Sequence, residues 1–198
     1  MIGEVDVKLF PNLASFGKLA VVPQGYFRKI GEGGEVNYKE WVGFEKYLSS
    51  AQVVLLSVED LTIRDVFQEK LLEKLRECCR IVALTRGAGG ATIYEQEKEP
   101  IRISAFNLLD TEIRDFTGAG DTYASAFLLF YEQTGDIKVA SVIASLYAAV
   151  KIAGVHGVGM ESIPGKLEIA LFLESRKERL QKFLKDNSVD LDIRDYIF

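Results

Sequence analysis

The sequence predicts an α/β fold built on a parallel sheet. Three observations predict it. Two β-rich apolar runs, Gln52–Val58 and Arg80–Thr85, flank a stretch with helical apolar spacing, Thr62–Cys79. Strand–helix–strand order of this kind is the signature of a parallel βαβ unit. A similar run, Lys18–Pro23, lies upstream, and beyond Gly118–Gly120 the chain reads as helices with apolar faces.

The totals bound the function. A chain of 198 residues suits one domain, residues 1–198, and 48% hydrophobic against 27% charged residues is enough for a buried core. A formal net charge of -5 argues against a nucleic-acid partner. No apolar run reaches the roughly 18 residues of a membrane span, and no charged-then-apolar leader opens the sequence, so no membrane partner is expected. The neighbours Cys78 and Cys79 offer no disulfide framework and point to a reducing compartment, so a cytoplasmic location is expected. His156 is the sole histidine, which leaves histidine-based metal or triad chemistry without support. Arg176, Lys177 and Arg179 alternate with acids and read as a solvated helix face.

In chain order, Lys18–Pro23 is a buried strand ended by proline, and Gln52–Val58 is a second. Ile63, Val66, Phe67, Leu71, Leu72 and Leu75 then follow helical spacing, with Asp60 or Thr62 as the cap. Arg80–Thr85 is a third strand. The turn Arg86–Gly90 leads into Ala91–Gln96, which alternates as a strand does, and Glu97–Pro100 turns into a strand over Ile101–Phe106. Two helices follow, Thr122–Thr134 and Ile137–Ala153, parted by Gly135-Asp136. A glycine-bearing loop, Gly154–Gly165, precedes one amphipathic helix over Lys166–Lys185. The tail Val189–Phe198 alternates apolar and charged residues, as an edge strand or a partner-facing arm would.

The chemistry concentrates in Arg114–Phe130, "RDFTGAGDTYASAFLLF". A helix start carries free backbone N–H groups and a positive dipole end. Glycines there let an anion reach the backbone, because no Cβ blocks it. Gly118, Ala119 and Gly120 can thus ring an anion with N–H donors, and Asp121 beside them can orient a hydroxyl and take its proton. Taken by itself, the pattern also fits a glycine turn with an aspartate favoured by the helix dipole.

The run Asp115-Phe116-Thr117-Gly118-Ala119-Gly120-Asp121, followed by Ser125-Ala126, closely resembles the D-T-x-G-A-G-D signature of the PfkB (ribokinase-like) carbohydrate kinases. Phe116 departs from it. Thr85-Arg86-Gly87-Ala88-Gly89-Gly90 is similar to the family's T-x-G-x-x-G turn at the nucleotide. The small-residue helix "ASVIASLYAAVKIAG" with its glycine loop is similar to the adenine-side wall. The resemblance implies a three-layer α/β/α fold with a mostly parallel central sheet, ATP as donor, magnesium, a sugar or polyol acceptor, Asp121 as base, and the Gly118–Gly120 backbone as anion hole. It also implies nucleotide contacts at Thr85, Gly87, Gly90, Thr117, Ala149 and Gly157. Each piece has a plainer reading. Gly87 and Gly90 can simply close a turn, Ala140, Ala144, Ala148 and Ala149 can simply allow close helix packing, and Arg86 can be a surface arginine.

Where the family often carries an N-x-x-E magnesium element, this chain has Ser57-Val58-Glu59-Asp60. Asp60 can hold magnesium through water, with Glu59 as a weaker candidate, or it can cap the next helix. Where the family has D-P-N-x-R, this chain has Val22-Pro23-Gln24 with Arg28 and Trp41 retained. That form is similar to a divergent branch that includes inositol- and sugar-type kinases, and it puts Gln24 at a strand's C-terminal end, where substrates bind in open α/β sheets. The resemblance covers about the C-terminal two thirds of the family's fold, without its first strands and β-sheet lid. A homodimer or a complementary N-terminal chain is therefore an expected partner. A nucleotide-binding remnant, or half of a split kinase, is the second reading. A dinucleotide-binding oxidoreductase fails, because "GAGG" leads into a strand rather than a helix.

Overall fold

A computed structural model of the chain describes residues 5–63, 66–154 and 164–197. The chain divides into two compact units, residues 1–86 with 92–101, and residues 87–91 with 102–198.

The first unit opens with α1 (Phe10–Phe16), which has Pro11 in its first turn, where the missing N–H costs nothing. β1 (Ala20–Val21) is shorter than the expected Lys18–Pro23, because Pro23 opens a 3-10 turn, Pro23–Tyr26. A hairpin of β2 (Arg28–Ile30) and β3 (Val36–Tyr38) follows, then the short α2 (Glu45–Leu48). β4 (Val53–Ser57) has its four apolar residues buried. The expected helix over Thr62–Cys79 holds only in its second half. Its first half is a small antiparallel ladder of β5 (Thr62–Ile63) and β6 (Val66–Phe67), and α3 (Glu69–Cys78) starts after Gln68. Thr62, Ile63 and Val66 are β-branched and favour strand, and the Gln68 N–H donates to the Leu61 carbonyl at 2.8 Å, closing the ladder. Neither Asp60 nor Thr62 caps α3, since its N-cap is Gln68. β7 (Ile81–Thr85) pairs parallel with β4, Val53 opposite Ile81, and β4 pairs parallel with β1. β8 (Ala91–Glu95) follows. Phe10, Leu48, Val54, Leu56, Leu61, Leu75, Val82 and Leu84 pack in one apolar cluster.

In the second unit, β9 (Ile101–Ile103) stops short of the expected Phe106. The Ser104 N–H donates to the Asn187 side chain and the Phe106 N–H to the Ser145 hydroxyl, so side chains take the place of a strand neighbour. α4 (Ala119–Thr134) and α5 (Ile137–Ile152) pack with Phe127, Phe130, Ile143 and Leu146 buried. The single helix expected over Lys166–Lys185 is two, α6 (Lys166–Glu174) and α7 (Lys177–Asp186). It breaks at Ser175–Arg176, where the Ser175 hydroxyl donates back to the Phe172 carbonyl and Arg176 turns to Glu112. Arg176 and Arg179 are therefore not a solvated face, because both bind Glu112. Among the described residues the tail adds no strand to a sheet. It includes the short α8 (Arg194–Ile197), with the Tyr196 ring 6.3 Å from that of Phe130.

β1, β4 and β7 neighbour one another in that order as parallel strands of the sheet in the first unit. The architecture is the expected three-layer α/β fold with a mostly parallel central sheet. Among the described residues, no helix is long and apolar enough to cross a membrane.

Candidate functional site

The turn into α4 belongs to the second unit. Gly118 is its N-cap with φ of +77°, a left-handed conformation that an L side chain would strain. The helix starts at Ala119, three residues before the expected Thr122, so Asp121 stands in the first turn. The Gly118 carbonyl accepts the Thr122 N–H at 2.9 Å, and the Ala119 N–H donates to the Phe116 carbonyl at 3.1 Å. Ala119 therefore spends its donor on the turn itself. Among the described residues, no partner takes the N–H of Gly120 or Asp121, and both residues are exposed. The Thr117 N–H is held by Asp115 Oδ1 at 2.9 Å.

Two anchors fix this turn. The Ile152 carbonyl at the end of α5 accepts the N–H groups of Arg114 and Asp115, at 2.9 and 3.2 Å. Two residues past Asp121, the buried Tyr123 hydroxyl shares a 2.6 Å hydrogen bond with Ser141 of α5. Burial pushes the Tyr123 phenol well above its usual range, so it stays protonated and serves as a strut. Sequence reasoning missed Lys151. It lies in an apolar helix with its side chain 2% exposed, and its Nζ is 4.0 Å from Asp115 Oδ2. Nothing in the local sequence singles it out.

The other glycines have local duties. Gly87 and Gly90 take φ of +53° and +80°, and the Gly90 N–H closes the turn by donating to the Gly87 carbonyl at 3.0 Å. A Cβ on Gly90 would overlap the Ile103 carbonyl oxygen and crowd the Ala105 nitrogen. Ala140, Ala144 and Ala149 are buried, as close helix packing requires. Gly157 lies outside the described residues. A hollow of about 390 Å³ in this unit is bordered by Arg114, Ala153, Phe172 and Arg176, and Asp121 is not part of its lining.

In the first unit, Asp60 is buried and fully engaged. Its Oδ2 accepts from the Ser57 N–H and hydroxyl at 2.8 and 2.9 Å, and its Oδ1 from Arg28 Nη2 at 2.9 Å. Ser57 and Asp60 thus form a capping box on the Val58–Leu61 turn. Gln24 is exposed; with its amide oxygen turned to Arg28 it accepts from Nη2 and Nη1 at 2.8 and 3.2 Å. The structure therefore brings Gln24, Arg28, Ser57 and Asp60 together, while Glu59 points to solvent. Thr85 is half-buried, its hydroxyl 3.4 Å from the Leu56 carbonyl, and Arg86 Nη1 donates to the Thr92 hydroxyl at 2.6 Å. A guanidinium on Asp60 leaves this carboxylate a poor fit for magnesium, which needs open oxygen ligands. Among the described residues, no group of three His, Cys, Asp or Glu side chains is placed to hold a metal.

Comparison with known proteins bears on this arrangement. Residues 46–159 match the model of the pfkB family of carbohydrate kinases. Over 100 residues, half of this chain, it is 31% identical to a 5-dehydro-2-deoxygluconokinase of Clostridium botulinum. Over 86 residues, 43% of this chain, it is 31% identical to an acarbose 7(IV)-phosphotransferase of Actinoplanes sp.. Each match spans 28% of the relative's own length. Among solved structures, it is similar in fold to a pyrophosphate-dependent kinase in the ribokinase family, with a TM-score of 0.65 and 23% identity, over 81% of this chain and 56% of that one. The matched span includes the Gly118–Asp121 turn, and it exceeds half of the sequence. The chain belongs to the pfkB family of carbohydrate kinases.

Proposed function

We propose that the protein is a phosphotransferase that moves the γ-phosphoryl group of ATP to a hydroxyl of a sugar or polyol. One observation carries the reading: an exposed carboxylate, Asp121, stands at the start of a 16-residue helix beside two N–H groups that no described residue claims. The helix dipole and the free N–H groups of Gly120 and Asp121 stabilise negative charge on the transferring group. Gly118 shapes the turn, and Ala119 closes it onto Phe116. The Asp121 carboxylate accepts the proton of the attacking hydroxyl. Thr85, Gly87, Gly90, Thr117, Ala149 and Gly157 are assigned to the nucleotide and Gln24 to the acceptor. Magnesium would travel with the nucleotide's phosphate oxygens; Asp60 is not assigned to it, because Arg28 and Ser57 already hold that carboxylate.

A second reading is a nucleotide-binding remnant or half of a split kinase that works with a complementary chain or a second copy. The Ala119 N–H, one of the three expected anion donors, is spent on the Phe116 carbonyl, which favours it. Transfer of labelled phosphate from ATP, and in parallel from pyrophosphate, to a panel of sugars and polyols separates the two. The parent chain is expected to phosphorylate a member of the panel, and Asp121→Asn to bind donor normally but turn over about 100-fold slower or worse. An Asn variant at the parent rate refutes the assignment of the base. Donor binding without any transfer establishes the second reading.

A further inference from the structure

Among the described residues, one buried side-chain nitrogen or oxygen lacks a hydrogen-bond partner: the Nζ of Lys151. Its side chain is 2% exposed and lies in the last turn of α5, where helix carbonyls favour a cation. The ammonium is 4.0 Å from Asp115 Oδ2, close enough for charge but too far for a hydrogen bond. The stem passes under the turn into α4, since a Cβ on Gly118 would be 3.5 Å from Lys151 Cε. The next residue, Ile152, holds the Arg114 and Asp115 N–H groups through its carbonyl.

Burying an ammonium is costly, and one ion pair at the edge of contact offsets little of the cost. The position explains why the charge is kept. Two carboxylates, Asp115 and Asp121, flank the helix start whose free N–H groups await an anion. A polyphosphate arriving there meets both. A fixed, desolvated cation beside Asp115 cancels one of those charges without competing for the N–H donors, and it does so in a medium that screens weakly.

We propose that Lys151 is the positioning residue of the phosphate site: its buried ammonium neutralises Asp115 and braces the Asp115–Gly118 turn, so that the phosphates of a nucleotide or of pyrophosphate dock on the start of α4. The proposal rests on the kinase reading of that turn. Lys151 never touches the anion; it acts through Asp115 and the turn backbone.

Calorimetric titration of the full chain with ATP, pyrophosphate and adenosine tests it, on the parent, Lys151→Met, Asp115→Asn and the double variant. Lys151→Met is expected to bind ATP and pyrophosphate about tenfold or more weakly, with adenosine unchanged. The double variant is expected to regain affinity to within about threefold of Asp115→Asn, because the charge that needed cancelling is gone. Parent-like ATP affinity in Lys151→Met, equal losses for ATP and adenosine, or a double variant as weak as the single one each overturn the role. If Lys151→Met does not fold, the comparison of the double variant with Asp115→Asn decides. A parent that binds neither ATP nor pyrophosphate refutes the kinase reading itself, whereas a binding parent with an indifferent Lys151 refutes only this inference.

Discussion

Gly120→Ala separates what the helix start does for folding from what it does for binding. Gly120 has helical backbone, and a Cβ built on it meets nothing within 4 Å. The methyl group is therefore free of steric cost in the folded chain. Alanine in place of glycine in a helix gains about 0.5–1 kcal/mol. For a chain of this size, that raises the melting temperature by about 1–4 °C. Binding should move the other way. The same methyl stands beside an N–H that no described residue takes, and the loss of one hydrogen bond to a charged phosphate costs about 1.5–3 kcal/mol. At about 1.4 kcal/mol per decade, ATP affinity falls roughly 10- to 150-fold. A thermal melt and a calorimetric titration on one sample read both numbers. A variant that melts higher and binds ATP as the parent does would show that phosphate never approaches this backbone, and the anion-site reasoning would fail with it.

Other perturbations probe the frame around the site. Gly90→Ala forces a left-handed alanine whose Cβ collides with the Ile103 carbonyl. It should lower stability by about 2–4 kcal/mol. A parent-like urea midpoint would contradict this. Glu112 accepts from Arg179 Nη1 and Nη2, from Arg176 Nε and from the Leu109 N–H. Those bonds, Arg179's first, hold its carboxyl far below the usual carboxylate range. A depressed folded-state pKa means stability that is complete above the unfolded value near 4.5 and is lost as pH falls below it. Unfolding midpoints measured from pH 7 to pH 3 should therefore decline, and Glu112→Gln, less stable at pH 7 by about 1.5–3 kcal/mol, should decline less steeply. Parallel curves would remove Glu112 from the account.

The parallel strands were legible because β4 and β7 are short apolar runs rich in β-branched residues and leucine, bounded by polar residues. The α4 turn was legible because its small residues have no packing purpose on a surface. The segment Thr62–Phe67 misled because Ile63, Val66 and Phe67 satisfy helical spacing and a two-residue ladder equally well; β-branching was the discriminating signal. The helix break at Ser175 and the pairing of the half-buried Arg176 and Arg179 depend on Glu112, more than sixty residues away, and local pattern carries no trace of such a partner. The β2–β3 hairpin was signalled only by the glycines around Gly31–Gly34. Asp60 illustrates a different limit: its spacing from Ser57 suits either a metal element or a capping box, and only the position of Arg28 distinguishes them.

Trp41 is the sole tryptophan of the chain. It stacks on Tyr26 at 4.6 Å between centroids and meets Phe27 and Phe44 at 5.7 and 6.1 Å, all within the first unit. The long helices α4 and α5, and α6 to α8 after them, belong to the second. Nature has thus given each half its own spectroscopic voice: indole emission for one and far-ultraviolet helical ellipticity, in the main, for the other. Denaturation followed by both signals at once will superimpose if the halves melt as a single cooperative body and will separate if they do not. A donor that binds at the α4 turn would then announce itself by which of the two curves it shifts.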